Sequence, residues 1–325
     1  MIIPTFADIE VAADRIAGVA RRTPLLSSDA LDEVAGARVF VKAECLQRFG
    51  AFKLRGAHNR IAAMSAAERE RGVLAFSSGN HGIAVSASAG LFGISAAIVM
   101  PADAPQMKLE KVRALGGDII TYDRLRESRE EIGARIAGEQ GRALVKPFDD
   151  PFVIAGQGTI GLEIAEEISP DVVLTPGSGG GLVCGTAIGV QARHPHAQVY
   201  AVEPEGHDDI ARSLAAGSIQ TNAPGVRSIC DALLVDRMGD ITFEIARTRL
   251  AGALAVSDED VRAAMRFAFA NLKIVLEPSG AAALAGLLSG ALDVRGRTVA
   301  VVASGGNVDA DAFVQAITQR ERSSE

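Results

Sequence analysis

The feature that most constrains this chain is an alternation of two kinds of segment. Short runs of β-branched and apolar residues recur between longer stretches with helical periodicity. The clearest short run is Arg38-Val39-Phe40-Val41-Lys42, which alternates and reads as a strand. Further strands are expected at residues 73–76, 95–100, 118–122, 144–146, 171–175, 198–203 and 298–303. Helices are expected at 7–20, 79–91, 106–115, 127–139, 155–168, 182–193, 258–271 and 279–288. Short apolar strands separated by helices of this length imply mostly parallel pairing, because parallel strands need such a crossover, and a sheet with helices on both faces needs uniformly apolar strands. The pattern therefore predicts an α/β fold of mostly parallel sheets flanked by helices.

With 325 residues, 48% of them apolar, the chain can build two packed units or one unit with an insertion. Several functions are disfavoured. The formal net charge is -7 and no basic run offers a surface for nucleic acid or an anionic membrane. There is no Trp and there are two Tyr, which is thin for stacking bases or docking through aromatic hot spots. No apolar run approaches a membrane span, and Met1-Ile2-Ile3-Pro4-Thr5 has no signal-peptide character. Cys45, Cys184 and Cys230 are far apart and read as reduced, mostly buried thiols of a cytoplasmic protein. The expected partner is a small molecule.

Five segments carry chemistry. In Gly50-Ala51-Phe52-Lys53-Leu54-Arg55-Gly56-Ala57, a lysine follows a strand and an irregular stretch, at the start of a helix. Burial and the positive helix end would lower its pKa and make it a nucleophile; the alternative is a solvated surface lysine. Ser77-Ser78-Gly79-Asn80-His81-Gly82 joins a strand to a helix, where free N–H groups can bind a carboxylate or where Ser and Asn merely cap the helix. Pro176-Gly177-Ser178-Gly179-Gly180-Gly181-Leu182 lets backbone amides converge on a phosphate. It also half-matches a dinucleotide fingerprint, with Glu203 placed for a ribose but Leu182 where the third glycine belongs. Glu203-Pro204-Glu205-Gly206-His207-Asp208-Asp209 can coordinate a hard cation or form an ordinary acidic loop. Last, Val299 to Val302 is a buried strand running into Ala303-Ser304-Gly305-Gly306-Asn307.

In this order the five segments resemble the β-family, fold type II, of pyridoxal-phosphate enzymes, in particular serine/threonine dehydratases, serine racemases and hydroxyaspartate ammonia-lyases. The resemblance runs from Arg21-Arg22-Thr23-Pro24-Leu25 to Gly305-Gly306-Asn307 and includes Pro151 to Thr159. It implies that Lys53 carries pyridoxal 5'-phosphate as an imine and moves the α-proton on one face, with Ser78 on the other. Phe52 would pack under the ring, and Asn80 would bond the phenolic oxygen. Ser178, Gly179, Gly180, Gly181 and Leu182 would hold the phosphate. Ser304 would pair with the pyridine nitrogen, and Glu277 would lie nearby. Ser77, Asn80 and His81 would hold the substrate carboxylate. Glu203, the His207 carbonyl and Asp209 would hold a divalent cation (Mg, Mn or Ca). A homodimer is the group's habit.

The pattern departs at Ala51, where the group usually has Ser, and at Ser178, where it usually has a fourth glycine. Within the group the signals divide. Phe148-Asp149-Asp150-Pro151 and the segment 228–234 resemble threonine and serine dehydratases, whereas Ser78, Ala51 and Ser128-Arg129-Glu130 resemble the racemase and hydroxyaspartate side. Arg129 would then pair with a second substrate carboxylate, or is an exposed helix arginine. The expectation is β-elimination from L-threonine and L-serine, with 3-hydroxyaspartate cleavage and serine racemisation as alternatives. A nicotinamide dehydrogenase and a non-catalytic amino-acid-binding module are the alternatives of other classes. The expected organisation is a large domain of residues 1–52 and 147–325, with a small domain of 53–146 inserted and closing over the site. The charged tail from Gln319 is expected to fray.

Overall fold

A computed structural model describes residues 1–318 except 78, 105, 124 and 125; the side chains of 129 and 130, and the tail from Gln319, lie outside the described residues. The strands are β1 (Leu25–Leu26), β2 (Arg38–Lys42), β3 (Val73–Phe76), β4 (Ala96–Pro101), β5 (Gly117–Tyr122), β6 (Ala143–Leu144), β7 (Val172–Pro176), β8 (Gln198–Pro204), β9 (Leu250–Val256) and β10 (Thr298–Val302). A six-stranded sheet has the order β1-β2-β10-β7-β8-β9, and a four-stranded sheet has the order β5-β4-β3-β6. All pairings are parallel except β1 with β2. The central strands β4 and β7 are buried throughout, as strands covered on both faces must be. Among the described residues no helix is long and apolar enough to cross a membrane.

The order of strands places the site. The chain moves outward from β7 through β8 to β9, then returns to lay β10 on the other side of β7. Loops leaving β7 and β10 therefore diverge, which opens a crevice at their carboxyl ends. The glycine turn follows β7 and Ser304 follows β10, while the stretch to Lys53 follows β2. From the smaller sheet, Ser77 follows β3 and Val145 to Phe148 follow β6.

The helix Lys53–Ala62 joins the two sheets. It lies so close to the helix Pro151–Glu167 that a Cβ on Gly156 would stand 2.6 Å from the Gly56 Cα. Beside this contact sits a buried ionic cluster. Arg55 Nε and Nη2 donate to Glu44 at 2.9 and 2.8 Å, and Arg55 Nη1 and Nη2 donate to Glu163 at 2.6 and 2.9 Å. Lys42 Nζ meets Glu163 Oε2 at 2.7 Å, and the Thr23 hydroxyl donates to Glu44 at 2.5 Å. Lys42, Glu44 and Arg55 are all 0% exposed, so each charge depends on its partners.

Candidate active site

The approach to Lys53 is tightly determined. Phe49 and Gly50 both take left-handed backbone conformations, φ 65° and 83°. Only glycine fits at 50, since a Cβ there would also meet the Asn307 carboxamide oxygen at 2.4 Å. Asn307 Nδ2 donates to the Phe49 carbonyl at 2.7 Å, Ala51 bridges to Gly305, and the Phe52 N–H donates to the Ser304 carbonyl at 3.1 Å. The segment after β10 thus clamps the segment before Lys53. Lys53 Nζ donates to the Pro147 carbonyl at 2.8 Å and lies 5.1 Å from the Phe52 ring centroid. Burial alone pulls its pKa down to about 8. Phe52 and Lys53 nevertheless keep part of their surface accessible, as groups lining an internal space do.

The second segment meets the first through Asn80. Asn80 Nδ2 donates to Glu277 Oε1 at 2.5 Å, and its Oδ1 accepts from Asn307 at 2.8 Å. One amide hydrogen of Asn80 remains for another acceptor. Burial pushes Glu277 up to about 7, and its Oε2 has no partner. His81 Nε2 donates to the Val145 carbonyl at 2.8 Å, so Nδ1 carries a lone pair, and it is unpartnered. Burial, with the nearby Lys53, takes His81 down to about 3. Its ring is therefore neutral and offers a carboxylate no donor. What His81 offers is its backbone N–H, in the first turn of the helix Asn80–Phe92. Ser77 Oγ accepts from the Gly79 N–H at 3.1 Å, which shapes the turn ahead of that helix. Ser78 and the Arg129 side chain lie outside the described residues; the Arg129 backbone opens the helix Arg129–Gln140.

The glycine turn is braced by neighbouring elements. Gly180 is left-handed, φ 89°, and the helix Gly181–Gln191 follows. The Cys184 N–H makes the first bond of that helix, to the Gly180 carbonyl at 2.9 Å. The N–H groups of Gly181, Leu182 and Val183 precede it and have no acceptor within the helix, the arrangement that binds a phosphate. The Gly179 carbonyl is turned away, accepting from Thr242 Oγ1 at 2.7 Å, and Asp149 holds the Ile241 N–H at 2.9 Å. Phe148 fills the space behind, since a Cβ on Gly179 or Gly181 would lie 2.4 or 2.9 Å from it. Sequence alone does not single out Pro147, Phe148, Asp149 and Thr242 for such roles. It offers Phe148-Asp149 only as a group signature without a structural reason.

The acidic segment sits directly behind the turn, where a Cβ on Gly177 would meet Glu203 Cγ at 2.8 Å. Glu203 is 0% exposed, and its oxygens accept from the N–H groups of Ile210 and Ala211, both at 3.1 Å. It is thus turned away from any ribose, which removes the basis of the dinucleotide reading. Asp209 accepts from Asn222 at 2.8 Å and from the Met238 N–H at 2.7 Å. Burial and the charge of Asp209 raise Glu203 well above the usual carboxylate range, and burial raises Asp209 to about 6. The His207 ring faces the Val226 carbonyl at 3.2 Å, leaving Nδ1 unpartnered. Among the described residues no three His, Cys, Asp or Glu side chains converge as metal ligands. Two buried, mutually repelling carboxylates with spare lone pairs are nevertheless hard-cation donors.

A desolvated amine, an anion-binding turn and a second helix N-terminus are therefore brought together. His81 Nδ1, Glu277 Oε2 and Thr175 Oγ1, just before the turn, are buried without partners in these same segments. A phosphate-bearing aldehyde cofactor fits the chemistry of this set: an amine able to meet an aldehyde, helix N–H groups able to take a phosphate, and a spare Asn80 amide hydrogen able to reach a ring oxygen.

Comparison with known proteins agrees with this geometry. Residues 16–305 match the family model described as pyridoxal-phosphate dependent enzyme. The L-threo-3-hydroxyaspartate ammonia-lyase of Saccharomyces cerevisiae is 40% identical over 99% of this chain and 98% of its own length. Maize serine racemase superposes with a TM-score of 0.92 at 38% identity, covering 97% of both chains. The serine racemase of Dictyostelium discoideum superposes with a TM-score of 0.88 at 36% identity, covering 94% of this chain and 99% of that one.

Proposed function

The chain belongs to the pyridoxal-phosphate-dependent enzymes, in the group of ammonia-lyases and racemases, and from that premise we propose that it eliminates water from small β-hydroxy amino acids, with L-threonine and L-serine as substrates. The observation that carries this reading is Lys53 Nζ, desolvated and bonded to a carbonyl rather than a carboxylate. An amine without an acidic partner is free to lose its proton near neutral pH and act as nucleophile and base. When bound, the cofactor supplies an electron sink that makes the substrate α-C–H acidic.

The side chains then divide the work. Lys53 Nζ takes the α-proton on its face, and Ser78 is the candidate acid–base on the other. Gly181, Leu182 and the turn from Ser178 would hold the phosphate through backbone N–H groups. Asn80 would give its second amide hydrogen to the cofactor's phenolic oxygen, and Phe52 would pack against the ring. Ser304 would pair its neutral hydroxyl with the ring nitrogen, and a neutral partner there would leave a weaker electron sink and so favour loss of the β-hydroxyl. Ser77 and the N–H groups around Asn80 and His81 hold the substrate carboxylate. The released enamine tautomerises and is hydrolysed to a 2-oxo acid and ammonia. Glu203, Asp209 and the His207 carbonyl would hold a divalent cation behind the glycine turn. Residues 53–146 would form a small domain that closes over the site and excludes water.

A second reading, ammonia release from 3-hydroxyaspartate, is favoured by Ser128-Arg129 and by the yeast relative's name. Formation of 2-oxo acid from L- and D-serine, L-threonine and the 3-hydroxyaspartate isomers decides between them. Turnover of L-threonine or L-serine, with a visible cofactor band lost in Lys53→Ala, supports the first. Turnover of a hydroxyaspartate isomer alone overturns it in favour of the second. Absence of any cofactor band rejects both. Metal analysis before and after chelation tests the cation, whose removal should lower thermal stability because it binds only the folded chain.

A further inference from the structure

The helix Gln106–Ala114 reaches from the smaller sheet toward the loops of the larger one with two lysines. Lys108 and Lys111 are three residues apart and so share a face. Lys108 Nζ donates to Asp231 Oδ2 at 2.5 Å, with 6% of the lysine side chain and 49% of the aspartate side chain exposed. On the way it passes Gly79, where a Cβ would stand 3.5 Å from the ammonium. Lys111 Nζ donates to Asn307 Oδ1 at 2.6 Å, and Asn307 donates onward to Asn80. Asp231 opens a short turn whose Ala232 N–H donates to Ser279 Oγ at 3.0 Å, in the first turn of the helix headed by Glu277. One helix is thus fastened at two points, to the loop that carries Ser304 through Asn307 and to the Asp231 turn that abuts the helix headed by Glu277, with Gly79 and Asn80 held between.

We propose that Lys108 and Lys111 are positioning residues that form a clasp. Their bonds to Asp231 and Asn307 set Gly79 and Asn80 against Lys53 and Glu277, so that the amino-acid carboxylate meets its N–H groups only when the clasp is made. This rests on the reading of Ser77 and the N–H groups of residues 79–81 as the carboxylate site. The exposure of Asp231 suits a bond that opens and reforms, because water can solvate the aspartate when the pair parts. The burial of Lys108 supplies the drive to close, because the ammonium is costly there without its partner.

The test is Asp231→Asn, which keeps the shape and removes the charge at a half-exposed position. In the cofactor-loaded enzyme, KM for the amino acid turned over should rise about tenfold, the factor that ~1.4 kcal/mol of lost closing free energy gives. The kcat should change less than about threefold on the same scale, the cofactor absorbance should be unchanged, and Asp231→Glu should restore KM. Amide hydrogen exchange gives a reading free of turnover: saturating amino acid should protect residues 79–81 and 106–114 in the wild type and less in Asp231→Asn and Lys111→Met. Unchanged KM and unchanged protection in both variants overturn the clasp. So does a fall in cofactor absorbance or in kcat alone, which would place these residues in cofactor binding or chemistry. A loaded wild-type enzyme that neither turns over nor binds any β-hydroxy amino acid removes the underlying site reading instead.

Discussion

Replacing Arg55 by Met should unfold this protein more readily than any exposed charge deletion, and the cluster around it sets the size of the effect. The guanidinium makes four charge-assisted bonds to Glu44 and Glu163, one to Thr159 Oγ1 at 3.1 Å and one to the Arg21 carbonyl at 3.1 Å. After its removal, Glu163 keeps Lys42, but Glu44 is left 0% exposed with only the Thr23 hydroxyl. Breaking one side of a buried pair costs ~3–5 kcal/mol, chiefly because the surviving charge is stranded. With one of two carboxylates still compensated, the lower end applies, ~3 kcal/mol, or a factor of roughly 150 in the folding equilibrium. Urea unfolding of the apoprotein reads this as a lower midpoint at unchanged slope. Adding Glu44→Gln removes the stranded charge and should recover about half of the loss, a coupling that independent sites would not show. A loss below ~1 kcal/mol in Arg55→Met, or no recovery in the double variant, would refute the assignment of the cost to Glu44.

Two further predictions follow from burial at the site. Lys53 falls from 10.5 to about 8 on folding, so the folded state binds its proton less tightly and the cost is fully present below pH 8, easing toward pH 10.5. Lys53→Met should therefore stabilise the apoprotein by ~1–3 kcal/mol at pH 7, and the rate of cofactor capture by the wild type should climb from pH 6 and level off above 8; a rise continuing to 10.5 would mean a solvated amine. Glu277 shifts the other way, from 4.5 to about 7, so its cost appears as pH rises through this window, and Glu277→Gln should gain up to ~3 kcal/mol on the wild type between pH 4.5 and 8. Parallel pH–stability curves for the two proteins would show that the carboxylate is solvated.

Much of the fold can be read from the chain because its strands are β-branched and its turns carry their own chemistry. The expected strands from 38–42 to 298–303 all appear, shifted by a residue or two at their ends. The strand β9 escapes such a reading because Leu250-Ala-Gly-Ala-Leu-Ala-Val has one β-branched residue; β8 holds it as an edge. The helix at Lys53 is expected only as a start. Gly56 and three basic residues obscure its periodicity, and packing against Gly156 and Gln157 supplies what propensity lacks. At the site, the segments are legible one by one because glycine, serine and asparagine mark turns. The groups that connect them are not. The Pro147 carbonyl that receives Lys53 has no side-chain signature, and the cluster of Lys42, Glu44, Arg55 and Glu163 joins positions far apart in the chain.

The lowered amine, the raised Glu277 and the orphaned Thr175, His81 and Glu277 atoms each destabilise the folded chain. They survive because the segments bearing them are fixed from behind by groups that do not enter the site. Arg55 ties the helix of Lys53 to the sheet through Glu44. Phe148, Asp149 and Thr242 brace the glycine turn, and Asn307 joins the turn before Lys53 to Asn80. Polar atoms held unpaired by such a frame cannot relax toward one another, so they remain available to a ligand that satisfies them together. Binding is then strongest for a molecule that presents an anion, an aldehyde and ring heteroatoms at fixed spacing, and freezing out the alternatives in advance is what makes the site selective.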